Sequence, residues 1–280
     1  MSIDEARRAD GPTVPGAGAH PAISATGRWS TATRVGVLVT VGVVLVANLV
    51  WIARDHQAPA WDQALYLHLV FQWRSAFHQR GVGSAVSAIY HTNPSYPPLY
   101  MLVITPFEAI GQGVDASLVA NTLMLCGVVI ATAVIAAHLY GQRAAFPAAV
   151  FVSTCTIIYG LSRTTLVDIL LVLLAALAVM SIVLSDGFER RGWAVVAGVL
   201  VGLAALTKMT GPGILLAPVL ASLALPVRVA PRRQAANLIL AGVVALLVAL
   251  PWYVVNLSPA LAYLRSATGG QLAIGTTATH

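Results

Sequence analysis

The stretch VGVLVTVGVVLVANLVWIA at residues 35–53 decides the fold, because it runs for 19 residues without a charged side chain. A helix of this length is about 30 Å long, which matches the hydrocarbon core of a bilayer. A cleavable signal peptide is the alternative, since APA follows at residues 58–60. Signal-peptide apolar regions, however, are about 7 to 15 residues long. The stretch therefore predicts a retained transmembrane helix.

The composition of the whole chain agrees with a membrane protein. Its 280 residues are 58% hydrophobic with a mean hydropathy of +0.81, whereas soluble domains are about 45 to 50% apolar. The net charge of +6 does not indicate a nucleic-acid partner, because the arginines are scattered between apolar segments. Cys126 and Cys155 lie inside apolar runs, which disfavours a disulfide or a thiolate metal site.

The arginines between the apolar runs predict the topology. Arg28 and Arg34 precede the first span, so the positive-inside rule places the N-terminus in the cytoplasm and the 54–96 loop outside. The later arginine-bearing loops are all cytoplasmic only if one segment before Arg143 does not cross. The best candidate is the short, proline-containing run at 97–110. The other runs lie at 116–140, 144–161, 165–185, 193–207, 211–226 and 235–257.

These observations predict an all-α polytopic membrane protein with about seven transmembrane helices and interfacial helices in the first external loop. We expect a disordered cytoplasmic tail at 1–34, a membrane module at 35–264 and an external tail at 265–280. This topology puts Asp62, the 162–168 segment and the 206–211 segment on the same external side.

Three charged residues on that side are candidates for chemistry. Lys208 is the only lysine in the chain and joins two apolar helices, a costly place for a charge; snorkelling to lipid headgroups is the alternative. Asp168 opens a long apolar helix, and a structural pair with Arg163 is its alternative explanation. Asp62 precedes an aromatic-rich stretch, where a solvated loop acid is the alternative.

Together these charges suit a phosphorylated lipid at the outer membrane boundary. Cations stabilise the charge on a phosphate leaving group, and a carboxylate can take the proton of an incoming hydroxyl. The histidines of the loop (His56, His68, His78 and His91) form no close ligand pair, so the sequence does not indicate a metal site.

Five blocks in order carry a family resemblance: WDQALY (61–66), YPPLY (96–100), TTLVDILLVLLAALAV (164–179), GVLVGLAALTKMTGPGILLAP (198–218) and LPWYVVNL (250–257). From Val35 to Leu264 the chain resembles the polyprenol-phosphate-dependent glycosyltransferases of the GT-C fold, in particular the lipid A aminoarabinose transferases and protein O-mannosyltransferases. The resemblance implies that Asp62 is the catalytic base. It also matches Asp168 to a second acid and Lys208 to an LTKG-like block.

The chain departs from that family pattern at three points. Gln63 replaces the second acid of a common Asp-Glu pair, and Met209 replaces a glycine. Family members usually continue with further spans and often a soluble domain, which here implies a missing C-terminal region, a partner subunit or a minimal member.

The resulting hypothesis is an inverting transferase that moves a sugar from a polyprenyl-phosphate donor to a hydroxyl on an acceptor lipid, glycan or protein. Asp62 and Asp168 are the predicted catalytic residues, and Lys208, Arg163, Tyr66, Tyr96 and His91 the predicted substrate-binding residues. No cofactor is expected, although a divalent metal stays open. The predicted location is the plasma (inner) membrane with an extracytoplasmic site. The alternatives are a transporter or flippase of lipid-linked sugars and a non-catalytic membrane subunit.

Overall fold

The computed structural model describes residues 29–111, 113–224 and 231–277, and within these ranges it contains α-helices and no strand. The helices are α1 (Thr31–Ile52), α2 (Asp62–Arg80), α3 (Val82–His91), α4 (Leu99–Ile110), α5 (Val114–Tyr140), α6 (Ala145–Ser153), α7 (Thr156–Leu161), α8 (Asp168–Leu184), α9 (Arg191–Thr207), α10 (Gly211–Ala224) and α11 (Pro231–Thr277).

Several of these helices are long and apolar enough to cross a membrane. In the described part of the chain they are Thr31–Ile52, Val114–Tyr140 and Pro231–Ser266. The shorter apolar helices are Leu99–Ile110, Asp168–Leu184, Arg191–Thr207 and Gly211–Ser222. The predicted all-α polytopic membrane fold is confirmed.

The helix boundaries differ from the predicted runs in three places. The run at 144–161 is broken between α6 and α7, where the Thr154 hydroxyl donates to the carbonyls of Val150 and Phe151 and Cys155 is extended. α1 begins at Thr31, inside the predicted tail, whose first 28 residues lie outside the described ranges. The backbone of α11 stays helical through Thr277 across most of the predicted C-terminal tail.

Polar contacts define one end of the helix bundle. The Ser30 backbone N–H at the start of α1 donates to Gln142 just after α5 over 2.8 Å. His138 near the end of α5 lies 3.5 Å from Asp186, which follows α8. The Gln234 amide at the start of α11 donates to the Gly187 carbonyl in the turn after α8. This end therefore gathers the starts of α1 and α11 and the ends of α5 and α8. We call it the arginine end, because Arg143, Arg190 and Arg191 lie in or beside its turns.

α4 stays at the other end of the bundle. The Tyr100 hydroxyl near its start donates to Asn121 Oδ1 over 3.1 Å. Near its end, Glu108 Oε2 accepts from the Gly113 backbone N–H over 3.1 Å. Both contacts fall at or near the first two turns of α5, so α4 does not run the length of the bundle. That the 97–110 run lies in the outer interface without crossing the membrane stays a prediction.

The helices α9 and α11 pack in close backbone contact. A Cβ at Gly198 would lie 2.4 Å from the Ala241 carbonyl oxygen, and one at Gly202 would lie 2.7 Å from the Ala245 carbonyl oxygen. Glycine lets the two backbones approach, which is how membrane helices commonly pack.

Candidate active site

The loop between α7 and α8 is held by two buried amides on neighbouring helices. Asn48 of α1 is fully buried, and its Nδ2 donates to the Ser162 hydroxyl over 2.9 Å. Asn121 of α5, also buried, donates to the Thr164 carbonyl over 2.7 Å. Polar side chains inside apolar helices bond to neighbouring segments, so these amides set the position of the 162–165 loop.

Arg163 of this loop is fixed against α1 and α7. Its Nε donates to Asn48 Oδ1 over 3.2 Å, and its Nη2 donates to the Tyr159 hydroxyl over 2.9 Å. The guanidinium carbon also lies 4.8 Å from the ring centre of Trp51 and 4.4 Å from that of Tyr159. Aromatic faces attract cations electrostatically. The site therefore contains an oriented, half-buried cation.

The partner of Asp168 is Lys208. The Lys208 Nζ donates to Asp168 Oδ1 over 2.8 Å, although the two residues are 40 positions apart. The alternative of an Arg163–Asp168 pair is wrong, because Arg163 bonds to α1 and α7 instead. The side chains of Asp168 and Lys208 remain 34% and 45% exposed, so both can reach a bound molecule.

The two charges of this pair suit the helix ends where they lie. Asp168 stands in the first turn of α8, and Lys208 directly follows the last residue of α9. A negative charge is favourable near a helix N-terminus and a positive one near a C-terminus. The Gly211 N–H donates to the Lys208 carbonyl over 2.8 Å, which makes a tight turn that accommodates Met209. A Cβ at Gly211 would lie 2.5 Å from the Ala204 carbonyl oxygen.

Asp62 begins α2 at the end of the bundle where α1 stops. It is exposed and stands in the first turn of the helix. The residue before it, Trp61, has a φ of 51°, a conformation that bulky residues rarely adopt. The next residue, Gln63, accepts from the Thr165 backbone N–H over 3.0 Å, which links the start of α2 to the loop that carries Arg163.

Tyr66 is a buried aromatic residue of α2, one helical turn after Asp62. Its side chain is buried, and burial raises the pKa of its phenol, with a further increase from the negative charges of Asp62 and Asp168. The raised pKa keeps the phenol protonated, so it can donate a hydrogen bond. Its ring packs edge-on against Tyr96 and Tyr100, each at a centroid distance of 5.9 Å.

Tyr96 extends this aromatic group to the end of α11. Its hydroxyl donates to the Tyr263 hydroxyl over 2.9 Å, and the two ring centres are 4.9 Å apart. Burial and this hydrogen bond raise the pKa of Tyr96. The contact joins the segment before α4 to α11, the last described helix, at the edge of the site.

The structure brings together six of the seven predicted site residues and leaves one outside. Asp62, Tyr66, Tyr96, Arg163, Asp168 and Lys208 lie at the end of the bundle opposite the arginine end. His91 ends α3, is exposed, and has Tyr90 as its neighbouring ring at 6.5 Å. The contacts described here do not connect it to the acids.

Sequence reasoning did not single out Asn48, Gln63 as a hydrogen-bond acceptor, or Tyr263. A signal for Asn48 was present, because an amide inside an otherwise apolar span is unfavourable unless it is bonded. The roles of Gln63 and Tyr263 depend on partners 102 and 167 positions away, which no local pattern reveals.

The donor set for a metal ion is sparse in the residues that the structure covers. Among them, no group of three or more His, Cys, Asp or Glu side chains is placed to hold a metal ion. The expectation of no cofactor, with a divalent metal left open, stays a prediction.

One family model matches the chain over residues 95–254, and its description is dolichyl-phosphate-mannose-protein mannosyltransferase. No individual curated protein and no solved structure matches. The matched residues contain Tyr96, Arg163, Asp168 and Lys208, whereas Asp62 precedes them. Since the match covers more than half of the chain, the protein belongs to the dolichyl-phosphate-mannose-protein mannosyltransferase family and is a membrane glycosyltransferase of the GT-C type.

Proposed function

We propose that the protein transfers a sugar from a polyprenyl-phosphate donor to an acceptor hydroxyl, with inversion at the anomeric carbon. The observation that carries this proposal is the convergence of two acids and two cations at one end of the bundle. Asp168 and Lys208 are in contact, and Gln63, the residue after Asp62, ties the start of α2 to the loop that holds Arg163.

The cations would bind the donor phosphate and stabilise it as the leaving group. An ammonium has three N–H donors, and Asp168 accepts one from Lys208, which leaves donors for phosphate oxygens. Arg163 has five N–H donors, of which Nε and one Nη2 hydrogen serve Asn48 and Tyr159. A fixed cation stabilises developing negative charge without reorganising during the reaction.

Asp62 would act as the general base. The acceptor oxygen attacks the anomeric carbon of the donor sugar, the hydroxyl proton passes to the Asp62 carboxylate, and the bond from that carbon to the phosphate oxygen breaks. The polyprenyl phosphate leaves with the bonding electron pair. Asp168 would keep Lys208 oriented, and the neutral phenols of Tyr66 and Tyr96 would donate hydrogen bonds to sugar hydroxyls.

The proposed orientation places this site outside the plasma membrane and the arginine end in the cytoplasm. It rests on Arg143, Arg190 and Arg191, which lie in or beside the turns at the arginine end, and on the positive-inside rule. A lipid donor would then present its phosphate at the outer boundary of the bilayer, where Lys208 and Arg163 lie, while the acceptor arrives from the aqueous side.

The direct experiment uses the purified full chain in proteoliposomes. Dolichyl phosphate mannose and other polyprenyl-phosphate hexoses with a radiolabelled sugar are supplied with peptide, oligosaccharide and lipid acceptors. We expect protein-dependent movement of label from one donor to an acceptor, with the opposite anomeric configuration in the product.

The same vesicles distinguish the transporter alternative. A lectin added outside reports lipid-linked sugar that reaches the outer leaflet. Protein-dependent translocation of intact donor without any glycosyl product would contradict the proposed transferase and favour a flippase.

A further inference from the structure

We propose that Gln63 is a positioning residue of the transfer reaction, which fixes Asp62 relative to Arg163 and Asp168 through its hydrogen bond to the 162–165 loop. The inference rests on the proposed function and assigns a role to the residue beside the proposed base.

The contact joins two segments that are far apart in sequence. Gln63 Oε1 accepts the Thr165 backbone N–H over 3.0 Å across 102 positions. Thr165 is buried and its hydroxyl lies 2.8 Å from that of Ser117. A buried backbone N–H needs an acceptor, so Gln63 meets a requirement of the loop while it locks the first turn of α2.

Each side of this bond carries a proposed reacting or binding group. Asp62 precedes Gln63 directly, and Arg163 and Asp168 lie two residues before and three residues after Thr165. α2 itself packs mainly against α3 and α4, whereas the loop is bonded to α1 and α5. The Gln63 bond is thus a direct connection between the structure that places Asp62 and the structure that places Arg163.

The amide has a property that a carboxylate at this position would lack. Both offer an oxygen that accepts the Thr165 N–H, but glutamate would add a negative charge beside Asp62. Like charges at one site disfavour each other's ionised form. Gln63 therefore supplies the acceptor oxygen and leaves the charge of the first turn to Asp62.

The experiment compares Gln63→Leu, Gln63→Glu and the control Gln57→Leu in the reconstituted full chain. Gln57 is an exposed residue in the segment between α1 and α2. Steady-state transfer is measured for kcat, donor KM and the pH profile, and melting temperature is recorded for each variant. Small misplacements of a catalytic group reduce rates by roughly 10²-fold.

We expect Gln63→Leu to lower kcat by about ten- to a hundredfold with little change in donor KM. Gln63→Glu should restore much of that loss, and the acid limb of its pH profile should move to higher pH. Gln57→Leu should behave as wild type. A normal kcat in Gln63→Leu would overturn the inference. Equal losses of kcat and melting temperature in Gln63→Leu and Gln63→Glu would also overturn it, since that pattern indicates a structural role alone.

A measurement that does not depend on sugar transfer separates this inference from the proposed function. If the wild-type protein transfers no sugar, the proposed function fails by itself. Amide hydrogen exchange then tests whether Gln63 orders the loop: exchange of the peptide that contains Thr165 should accelerate in Gln63→Leu and stay slow in Gln63→Glu. Equal protection in wild type and Gln63→Leu would refute the positioning role.

Discussion

Replacing Lys208 by alanine tests whether the exposed ion pair is a phosphate-binding element. The change removes the ammonium whose Nζ lies 2.8 Å from Asp168 Oδ1. A hydrogen bond to a charged group contributes about 1.5 to 3 kcal/mol. Because the Lys208 side chain is 45% exposed, solvent screening favours the lower end of that range. About 1.4 kcal/mol corresponds to a tenfold change in affinity, so we expect at least about a tenfold loss.

The assay measures equilibrium binding of dolichyl monophosphate, which lacks a sugar, to the protein in nanodiscs. Arg80→Ala is the matched control, because Arg80 is an exposed cation at the far end of α2. Lys208→Arg should bind better than Lys208→Ala, since it restores the charge with a different shape. Asp168→Asn should bind dolichyl monophosphate at least as well as wild type, because it removes a negative charge beside the phosphate while the asparagine amide oxygen can still accept the hydrogen bond from Lys208. Unchanged affinity in Lys208→Ala would refute the phosphate role and return the residue to snorkelling.

Two further predictions concern packing and topology. Gly198→Ala should destabilise the protein by about 1 to 3 kcal/mol, because the new Cβ would lie 2.4 Å from the Ala241 carbonyl oxygen and overpacking of this size displaces side chains or backbone. The control is Gly242→Ala, which adds a Cβ into open space. Equal melting temperatures of the two variants would contradict the packing account. In a cysteine-free background, Asp115→Cys should react with an external impermeant maleimide and Arg143→Cys should not. The reverse pattern would contradict the proposed topology.

Much of the fold follows from one-dimensional patterns. The uncharged run at 35–53 predicts α1, which the structure contains. That the 97–110 segment does not cross the membrane stays a prediction of the arginine distribution. A helix satisfies its backbone hydrogen bonds within its own segment, so the apolar run at 35–53 is sufficient to predict α1. The break at Thr154 was missed, because the residues next to it, 148–159, contain no proline or glycine.

The pairing inside the site could not be inferred from the sequence. Asp168 was considered with Arg163, its neighbour in the chain, whereas the actual partner Lys208 comes from another helix end. The guanidinium of Arg163 bonds to Asn48 instead of Asp168, and this contact spans 115 positions. Tertiary hydrogen bonds of this kind depend on which helices are adjacent, and apolar periodicity does not encode that choice.

The most direct test of the central claim is the transfer rate of the Asp62→Asn variant. Asparagine keeps the size and a hydrogen-bonding oxygen of aspartate but cannot accept a proton at neutral pH, and general-base help contributes roughly 10² to 10⁴-fold. We predict that Asp62→Asn inserts normally, binds dolichyl monophosphate as wild type does, and loses transfer by at least about 100-fold. Asp55→Asn, an acid of the same loop that precedes α2, should retain activity. Near-normal transfer by Asp62→Asn would contradict the assignment of the base, and a parallel loss of lipid binding would indicate a structural role instead.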